Sequence, residues 1–359
     1  MRHLDGPPLN STVHRLPMGV VTVIVPFNWP IAILGASLPY ALLAGNTAVV
    51  KPPPTAPLAM VRTLELFAAG LPAGVLNVVT GSNEAVEPLL TDPRVRKIVF
   101  TGSTAAGRHI MAAAAQSLAS VTLELGGNDP AIVLDDATLD EEHIGRLTHG
   151  AFLTSGQVCM AVKRVYVHRS RYDELVDKLT SALDAHRVGP GSDPASTLGP
   201  LNSAGQREKV VAMLAEAADA GAEIRERGTL EAGVAASGGH FLRPALVLDP
   251  DPGLRIVTEE QFGPALPILP FDDLDPVVEH LNNDWSGLCS SVWSADPARA
   301  FVLAERLRTG TTWINHANAV VCDDRAPFGG FRQSGIGREM GPDGLLTFTE
   351  AHTVTVPGG

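Results

Sequence analysis

A cysteine and a glutamate in glycine-rich, apolar segments are the residues of this 359-residue chain that could carry out covalent chemistry. Cys159 stands in the segment Phe152-Leu-Thr-Ser-Gly-Gln-Val-Cys-Met-Ala161, and Glu124 stands in Leu123-Glu-Leu-Gly-Gly127. A thiolate attacks a carbonyl carbon, and a buried carboxylate with a raised pKa acts as a general base near neutral pH. The pair therefore predicts that a thioester is formed and then hydrolysed.

Both residues also have a purely structural interpretation. A lone cysteine in an apolar segment is usually an inert buried thiol, and this interpretation fits Cys289 in Gly287-Leu-Cys-Ser-Ser-Val292. Glu124 could form a structural salt bridge, although no cation stands near it in the sequence. An unpaired carboxyl group with a raised pKa remains the favoured interpretation of Glu124.

Composition excludes several classes of protein. The chain is 45% hydrophobic and 18% charged, which is enough apolar material for two domains with their own cores. A net charge of −12 and the lack of a Lys/Arg run argue against nucleic acid as a partner. Three scattered cysteines cannot form a disulfide framework, and the first eight residues lack the apolar core of a signal peptide. The sequence therefore predicts a cytoplasmic protein.

The segment from Leu16 to Val50 carries no charged residue and could be mistaken for a membrane span. Pro26, Pro30 and Pro39 divide it into a strand-like run, an apolar helix and a second strand-like run. We therefore predict a buried α/β core here and no membrane partner.

Short β-branched runs alternate with helical patterns along the chain, which is typical of βαβ units around a parallel sheet. The later two thirds repeat this pattern, so a second α/β domain is predicted. Residues 235–240, Ala-Ala-Ser-Gly-Gly-His, are either a linker or a surface loop. The predicted strands are 20–25, 47–50, 75–79, 97–100, 164–168, 290–293 and 311–314, and the predicted helices begin near residues 31, 84, 105, 172 and 204.

The segment Phe100-Thr-Gly-Ser-Thr-Ala-Ala-Gly107 follows a predicted strand and opens a predicted helix. The backbone N–H groups and the dipole of such a helix could bind a pyrophosphate. The segment is not the usual G-x-G-x-x-G pattern, and glycines at a tight turn are by themselves more often structural.

Several motifs in the same order resemble the NAD(P)-dependent aldehyde dehydrogenase superfamily from about Leu16 to the C-terminus. The resemblance implies an aldehyde dehydrogenase-like α/β fold with a parallel-sheet dinucleotide-binding domain, an α/β catalytic domain and small oligomerisation strands. The matching motifs are Pro26-Phe-Asn-Trp-Pro30, Gly45-Asn-Thr-Ala-Val-Val-Lys-Pro52, Phe100-Thr-Gly-Ser103 with Gly107, Leu123-Glu-Leu-Gly-Gly127, Gly156-Gln-Val-Cys159, Glu259-Glu-Gln-Phe-Gly-Pro264 and Pro327-Phe-Gly-Gly-Phe-Arg-Gln-Ser-Gly-Ile-Gly-Arg-Glu339.

The resemblance implies a role for each catalytic position. Cys159 is the expected nucleophile, and the side-chain amide of Asn28 with the backbone N–H of Cys159 is expected to hold the oxyanion. Glu124 is expected to activate the water that hydrolyses the thioester. Glu339 resembles a family position proposed to relay protons outward.

The resemblance also implies a nicotinamide cofactor, with NAD as the first choice. In many members a glutamate follows the lysine motif and would grip the adenosine ribose, but Pro54 stands at that position here, so use of NADP is possible. Lys51 is expected near that ribose, and Glu260 with Phe262 near the nicotinamide. The expected cofactor-binding residues are Val25, Phe27, Lys51, Gly102, Ser103, Gly107, Gly126, Glu260 and Phe262.

By resemblance, residues 1–126 form an oligomerisation strand and a partial dinucleotide-binding domain, 127–340 the catalytic domain, and 341–359 a C-terminal helix and oligomerisation strand. Strands near 20–25 and 353–356 are expected to assemble a homodimer or homotetramer. Glu350 is a candidate partner of Arg338 at a subunit contact.

Family members normally carry a long segment before the asparagine motif, whereas Asn28 lies almost at the start here. Weak cofactor binding or a catalytically impaired, nucleotide-binding or oligomerising fragment is therefore one alternative. Transfer of the acyl group to coenzyme A is another, although such relatives tend to lack the base at Glu124. No compact metal-ligand pattern includes His316 and Cys322, so no metal is predicted. An apolar aldehyde is the favoured substrate.

Overall fold

The computed structural model describes residues 1–6, 8–234, 237–318 and 322–358. The chain forms two compact units. The first unit comprises residues 1–124, 323–329 and 335–359, and the second comprises residues 125–322 and 330–334. Each unit is described below by itself.

The strands of the first unit are β1 (Arg2–Leu4), β2 (Leu9–Pro17), β3 (Val20–Ile24), β4 (Thr47–Lys51), β5 (Leu76–Val78), β6 (Val95–Thr101), β7 (Ser120–Glu124), β17 (Gly335–Ile336) and β18 (Thr349–Pro357). Its helices are α1 (Pro30–Leu43), α2 (Pro57–Ala68), α3 (Glu87–Thr91), α4 (Thr104–Ala114) and α11 (Gly341–Leu346).

The strands of the second unit are β8 (Pro130–Val133), β9 (Arg164–His168), β10 (Arg187–Val188), β11 (Glu223–Glu226), β12 (Thr229–Leu230), β13 (Ala245–Leu248), β14 (Ala265–Phe271), β15 (Cys289–Trp293) and β16 (Thr311–Ile314). Its helices are α5 (Glu141–Phe152), α6 (Tyr172–Asp184), α7 (Ala204–Asp219), α8 (Arg255–Thr258), α9 (Leu274–Asn283) and α10 (Pro297–Ala304).

A six-stranded sheet with the order β17-β7-β6-β3-β4-β5 is the centre of the first unit. Its strands are parallel except β17, which pairs with β7 in antiparallel fashion. The central strand β3 reads Val-Val-Thr-Val-Ile and is almost completely buried, as expected for a strand covered on both faces. The apolar segment from Leu16 to Val50 therefore folds as strand, helix and strand. None of the helices in the described part of the chain combines the length and apolar character needed to span a bilayer.

A separate three-stranded sheet, β1-β2-β18, also belongs to the first unit. Strand β18 pairs with β2 along its whole length and lies at the edge of this sheet. The prediction that residues 20–25 form an assembly strand is wrong, because β3 has β4 on one edge and β6 on the other. A strand paired on both edges has no backbone groups left for another subunit.

The second unit is built on a seven-stranded sheet with the order β11-β13-β14-β9-β8-β15-β16. Alternate residues of its strands enter two different cores, as the two-residue period of a strand requires. Val165 and Val167 pack on the side of α5 and α6, whereas Tyr166 packs on the side of α7, α9 and α10. Two apolar layers thus cover the sheet.

The two units divide the chain differently from the sequence-based domains. Residues 323–329 and 335–340 belong to the first unit rather than to the unit of Cys159, and residues 341–359 also join the first unit. The reason is long-range backbone pairing, in which Gly335 lies opposite Glu124. Of the candidate linker, residues 235–236 lie outside the described residues and 237–240 lie within the second unit.

Candidate active site

The carboxyl ends of the parallel strands bring together most of the predicted site residues of the first unit. Strands β4 and β5 follow on one side of β3, and β6 and β7 lie on the other, so the strand order reverses between β3 and β6. Ligands of open parallel sheets bind outside the carboxyl ends at such a reversal. Val25 follows β3, Lys51 ends β4, Gly102 follows β6 and Glu124 ends β7.

The turn after β6 is a candidate phosphate site. Ser103 is the N-cap of α4, and its hydroxyl accepts a hydrogen bond from the backbone N–H of Ala106 at 3.3 Å. Gly107 is buried in the first turns of this helix, and the Gly102 N–H donates to the Glu124 carbonyl at 3.0 Å. The N-terminus of this helix, with the positive end of its dipole, would favour a bound phosphate.

Lys51 places a cation at the same sheet edge. Its Nζ donates to Asn83 Oδ1 at 3.3 Å, and burial lowers the pKa of the ammonium, an effect that the charge of Glu84 opposes. Pro54 is exposed shortly after β4. This corner therefore offers a cation without a carboxylate at residue 54.

The turn between β3 and α1 carries Phe27 and Asn28, both partly buried. Pro30 takes the first position of α1, where its missing N–H costs no helical hydrogen bond. The predicted oxyanion residue Asn28 therefore stands on the short connection that leaves the central strand.

Glu124 is a carboxyl group in an apolar setting. Its side chain is 4% exposed, and neither carboxylate oxygen has a hydrogen-bond partner within the described residues. Burial raises the pKa of this carboxyl group well above its usual range; the charge of Glu339 raises it further, and Arg338 opposes the shift. These are the properties of a general base for neutral pH.

Glu339 and Lys97 extend this buried group. Glu339 is held by a pair of 2.8 Å backbone hydrogen bonds with Phe328, and burial raises the pKa of its carboxyl group to about 7, against the effects of Lys97 and of a hydrogen bond with Ser37. Burial lowers the pKa of Lys97 to about 8. Its Nζ donates to Thr122 Oγ1 at 2.7 Å. We call Glu124, Glu339 and Lys97 the carboxyl cluster.

In the second unit, Cys159 follows a turn with an unusual backbone. Thr154, Ser155 and Gly156 have φ angles of 56°, 57° and 74°. Left-handed backbone is uncommon for residues other than glycine and strained for a β-branched one. A Cβ at Gly156 would also collide with the carbonyl group of Gly263. The nucleophile loop, residues 153–159, is therefore held in shape by its surroundings.

Side-chain hydrogen bonds anchor this loop. The Ser155 hydroxyl donates to the Gly199 backbone carbonyl at 2.8 Å, and the side-chain oxygen Oε1 of Gln157 accepts from the Asn202 backbone N–H at 2.9 Å. Cys159 is partly exposed and forms no disulfide. An anchored loop with an accessible thiol suits nucleophilic attack.

Lys163 lies beneath the nucleophile loop, and the sequence analysis missed it. Its side chain is 2% exposed, and its Nζ donates to the carbonyl groups of Val158 at 2.5 Å and Gly156 at 3.2 Å. The same atom lies 5.3 Å from the ring centroid of Phe262. The sequence offered one signal for this residue, namely a lysine among the apolar residues that lead into β9.

Glu260 connects this lysine to a second loop. Its Oε1 accepts a hydrogen bond from the Gly127 N–H at 3.3 Å. Burial raises the pKa of Glu260, against the opposing charge of Lys163. A Cβ at Gly126 would collide with the Glu260 carboxylate, and one at Gly127 would lie 2.9 Å from the Cys159 carbonyl oxygen. The contact with backbone favours glycine at residue 127, whereas a side chain at residue 126 would have to displace the Glu260 carboxylate.

The structure brings the predicted residues together in two sets, one per unit. Val25, Phe27, Asn28, Lys51, Gly102, Ser103, Gly107, Glu124 and Glu339 belong to the first unit, and Gly126, Cys159, Glu260 and Phe262 belong to the second. Within the ranges that the structure describes, no group of three or more His, Cys, Asp or Glu side chains is arranged to hold a metal ion.

A sequence profile of the aldehyde dehydrogenase family matches residues 3–354. Geranial dehydrogenase of Castellaniella defragrans is 40% identical over 98% of this chain and 72% of the relative.

Two solved structures are similar throughout this chain. The structure of Mycobacterium tuberculosis aldehyde dehydrogenase complexed with NAD+ matches with a TM-score of 0.94 and 39% sequence identity. The match covers 100% of this chain and 73% of that chain. The structure of an Escherichia coli NADP dependent enzyme matches with a TM-score of 0.93 and 35% sequence identity. This match covers 99% of this chain and 73% of that chain. The predicted fold and the predicted enzyme class are confirmed. The chain belongs to the aldehyde dehydrogenase family.

Proposed function

We propose that this chain oxidises an aldehyde to a carboxylic acid with a nicotinamide cofactor, through a thioester on Cys159 that water hydrolyses with the help of Glu124. The observation that carries the proposal is the state of Glu124, a buried carboxyl group with a raised pKa and no hydrogen-bond partner within the described residues. A carboxylate in this state takes a proton from water far more readily than an ordinary surface glutamate does.

The first step belongs to the thiol. The thiolate of Cys159 attacks the carbonyl carbon, and the C=O π electrons move to oxygen to give a thiohemiacetal alkoxide. We propose that the Asn28 side-chain amide and the Cys159 backbone N–H donate hydrogen bonds to this alkoxide. The resemblance supports these assignments, and so does the anchored backbone of the nucleophile loop.

The residues at the carboxyl edge of the first sheet suit a dinucleotide. The N-terminus of α4 with Ser103 would hold a phosphate, and Lys51 would lie near a ribose. We propose that Glu260 and Phe262 hold the nicotinamide end. A nicotinamide bound there would accept the hydride that leaves the thiohemiacetal carbon, and the thiohemiacetal thereby becomes a thioester.

We propose that the carboxyl cluster carries out the second half of the reaction, which is hydrolysis of the thioester. Glu124 removes a proton from water, the hydroxide attacks the thioester carbon, and the C–S bond breaks to release the carboxylic acid and the Cys159 thiolate. We propose that Glu339, with a pKa of about 7, receives the proton from Glu124, because the charge of Glu339 acts on the Glu124 carboxyl group and raises its pKa.

We propose NAD+ as the preferred cofactor, with NADP+ also accepted. Pro54 carries no charge to repel a 2′-phosphate. Pro54→Glu is expected to raise the ratio of kcat/KM for NAD+ over NADP+, because like charges repel. If P54E left this ratio unchanged, residue 54 would not determine the preference between NAD+ and NADP+.

The favoured substrate is an apolar aldehyde, and the favoured assembly is a homodimer or homotetramer. Strand β18 supports the second proposal, because it forms a sheet edge and exposes Val354 and Val356 by 46% and 52%. Val354→Lys should dissociate subunits that pair through this strand, which light scattering after gel filtration would detect.

The test of the function is the yield of reduced cofactor from a panel of aldehydes without coenzyme A. We expect continuous turnover, release of free acid and an acyl adduct on Cys159 in quenched samples. Cys159→Ala should abolish all three. Turnover that requires coenzyme A would show an acyl-transferring enzyme instead, and full turnover by C159A would refute the nucleophile assignment.

A further inference from the structure

Lys163 is a buried cation that the proposed reaction does not use. It follows Cys159 by four residues and lies just before β9. A buried lysine is costly unless its ammonium group is fully paired. Its ammonium group is buried at the nucleophile loop, where backbone carbonyl groups are its hydrogen-bond acceptors.

The hydrogen bonds of Lys163 fix the backbone before the thiol. The Val158 and Gly156 carbonyl groups both accept from Nζ, at 2.5 Å and 3.2 Å. These carbonyl groups flank Gln157, and Gly156 is itself the last of the three consecutive residues with positive φ. The ammonium therefore helps to hold a strained turn that would otherwise relax.

The charged groups around Lys163 are Glu260, Asp129, Cys159 and Lys209. Burial lowers the pKa of Lys163, while Glu260, Asp129 and Cys159 raise it and Lys209 lowers it. Attraction between the ammonium and an ionised thiol is reciprocal, so a charge that stabilises one stabilises the other. A thiol beside a cation ionises more readily than one in apolar surroundings.

We propose that Lys163 is a positioning residue for Cys159, which fixes the nucleophile loop through two backbone carbonyl groups and favours the thiolate form. The inference rests on the proposed role of Cys159 as nucleophile. It adds a residue that the family resemblance did not assign, and it connects the loop of Cys159 to the loop of Glu260 and Phe262.

The test is the pH dependence of Cys159 alkylation by iodoacetamide, followed by peptide mass spectrometry that separates Cys159 from Cys289 and Cys322. Lys163→Met should move the midpoint of the alkylation profile up by about one pH unit, which is about tenfold in rate below the midpoint. Amide hydrogen exchange at residues 155–158 should become faster in the same variant.

Lys209→Met is the matched control. Lys209 Nζ donates to the backbone carbonyl of Glu260 at 2.6 Å, so this variant removes a cation from the same neighbourhood without touching the nucleophile loop. The midpoint in K209M should equal that of the unchanged protein. Equal midpoints in K163M, K209M and the unchanged protein would overturn the proposal.

Glu260→Gln keeps the test decisive if K163M fails to fold. Loss of the negative charge beside Lys163 leaves more positive charge near the thiol, so the alkylation midpoint should move to lower pH. A midpoint that stays or rises in E260Q would also overturn the proposal. Alkylation needs neither aldehyde nor cofactor, so its outcome is independent of the C159A turnover test.

Discussion

Two buried lysines, one in each unit, have different kinds of partner. In the first unit, Lys97 donates to the hydroxyl groups of Thr122 at 2.7 Å and Ser120 at 3.3 Å, and its charge acts on Glu339. In the second unit, Lys163 donates to two backbone carbonyl groups. Both side chains are 2% exposed.

The partners decide what each lysine can do. A carboxyl group can gain or lose a proton, and the pKa values of Glu339 and Lys97, about 7 and about 8, lie close to neutral pH. Backbone carbonyl groups cannot exchange protons in this range, so the two hydrogen bonds of Lys163 hold the nucleophile loop in place and do not carry protons. We infer that the carboxyl cluster serves proton transfer, whereas Lys163 serves positioning.

The largest expected effect is that of Glu124→Gln. Loss of the general base should slow thioester hydrolysis by about 10²–10⁴-fold, while the thiol still attacks the aldehyde. Rapid mixing should therefore show a burst of about one equivalent of reduced cofactor per active thiol, followed by slow turnover. Loss of the burst together with the turnover would mean that Glu124 acts before the thioester forms, or that the variant misfolds, which circular dichroism would reveal.

Glu339→Gln should change how stability depends on pH. The pKa of Glu339 rises from an ordinary 4.5 to about 7 on folding, so the folded chain keeps a proton that the unfolded chain has lost between these values. Stability in the unchanged protein should fall as pH rises through this window, by up to about 3 kcal/mol. The E339Q variant should lose less free energy of unfolding over the same pH range.

Urea unfolding at several pH values between about 4.5 and about 8 measures this difference. Glu350→Gln is the control, since Glu350 is an exposed carboxyl group of the same unit. Parallel stability curves for E339Q and the unchanged protein would show that Glu339 does not titrate on folding as expected.

A smaller effect separates the two lysines directly. Lys97→Met removes the charge that lowers the pKa of Glu339, so the coupled carboxyl groups should hold their protons to higher pH. The acidic limb of the hydrolysis step should move up by about one pH unit, with the Cys159 alkylation profile unchanged. If K97M altered alkylation as K163M is expected to, the distinction between the two lysines would fail.

The sequence predicts most of the sheet that carries the candidate site. Residues 20–25, 47–50 and 97–100 are mostly apolar and rich in β-branched side chains, and they fold within the parallel strands β3, β4 and β6. The same feature explains the error at 20–25, since a run that is apolar on both faces belongs at the centre of a sheet. An assembly strand needs a free edge, as β18 has.

Side-chain neighbours were harder to predict than strands. Cys159 and Glu124 stand in recognisable motifs, but the partners of Lys97 come from β7 and from the segment around Glu339, which lies more than 200 residues further along the chain. A local sequence pattern cannot predict contacts between residues so far apart in the chain. A lysine within an apolar strand pattern is the local signal, because a buried ammonium group must find partners.

Thr122→Val should have the smallest effect and tests the hydroxyl link of Lys97. The variant keeps the volume but removes the acceptor at 2.7 Å, which should cost about 1 kcal/mol of unfolding free energy and shift the acidic limb only slightly, since Ser120 remains an acceptor. Thr22→Val is a close match in the same sheet, because the buried Thr22 hydroxyl has no hydrogen-bond partner within the described residues. T22V should therefore be neutral or stabilising in urea unfolding. If both variants lost the same stability, the cost would belong to the exchange of threonine for valine, and the hydroxyl of Thr122 would have no special role beside Lys97.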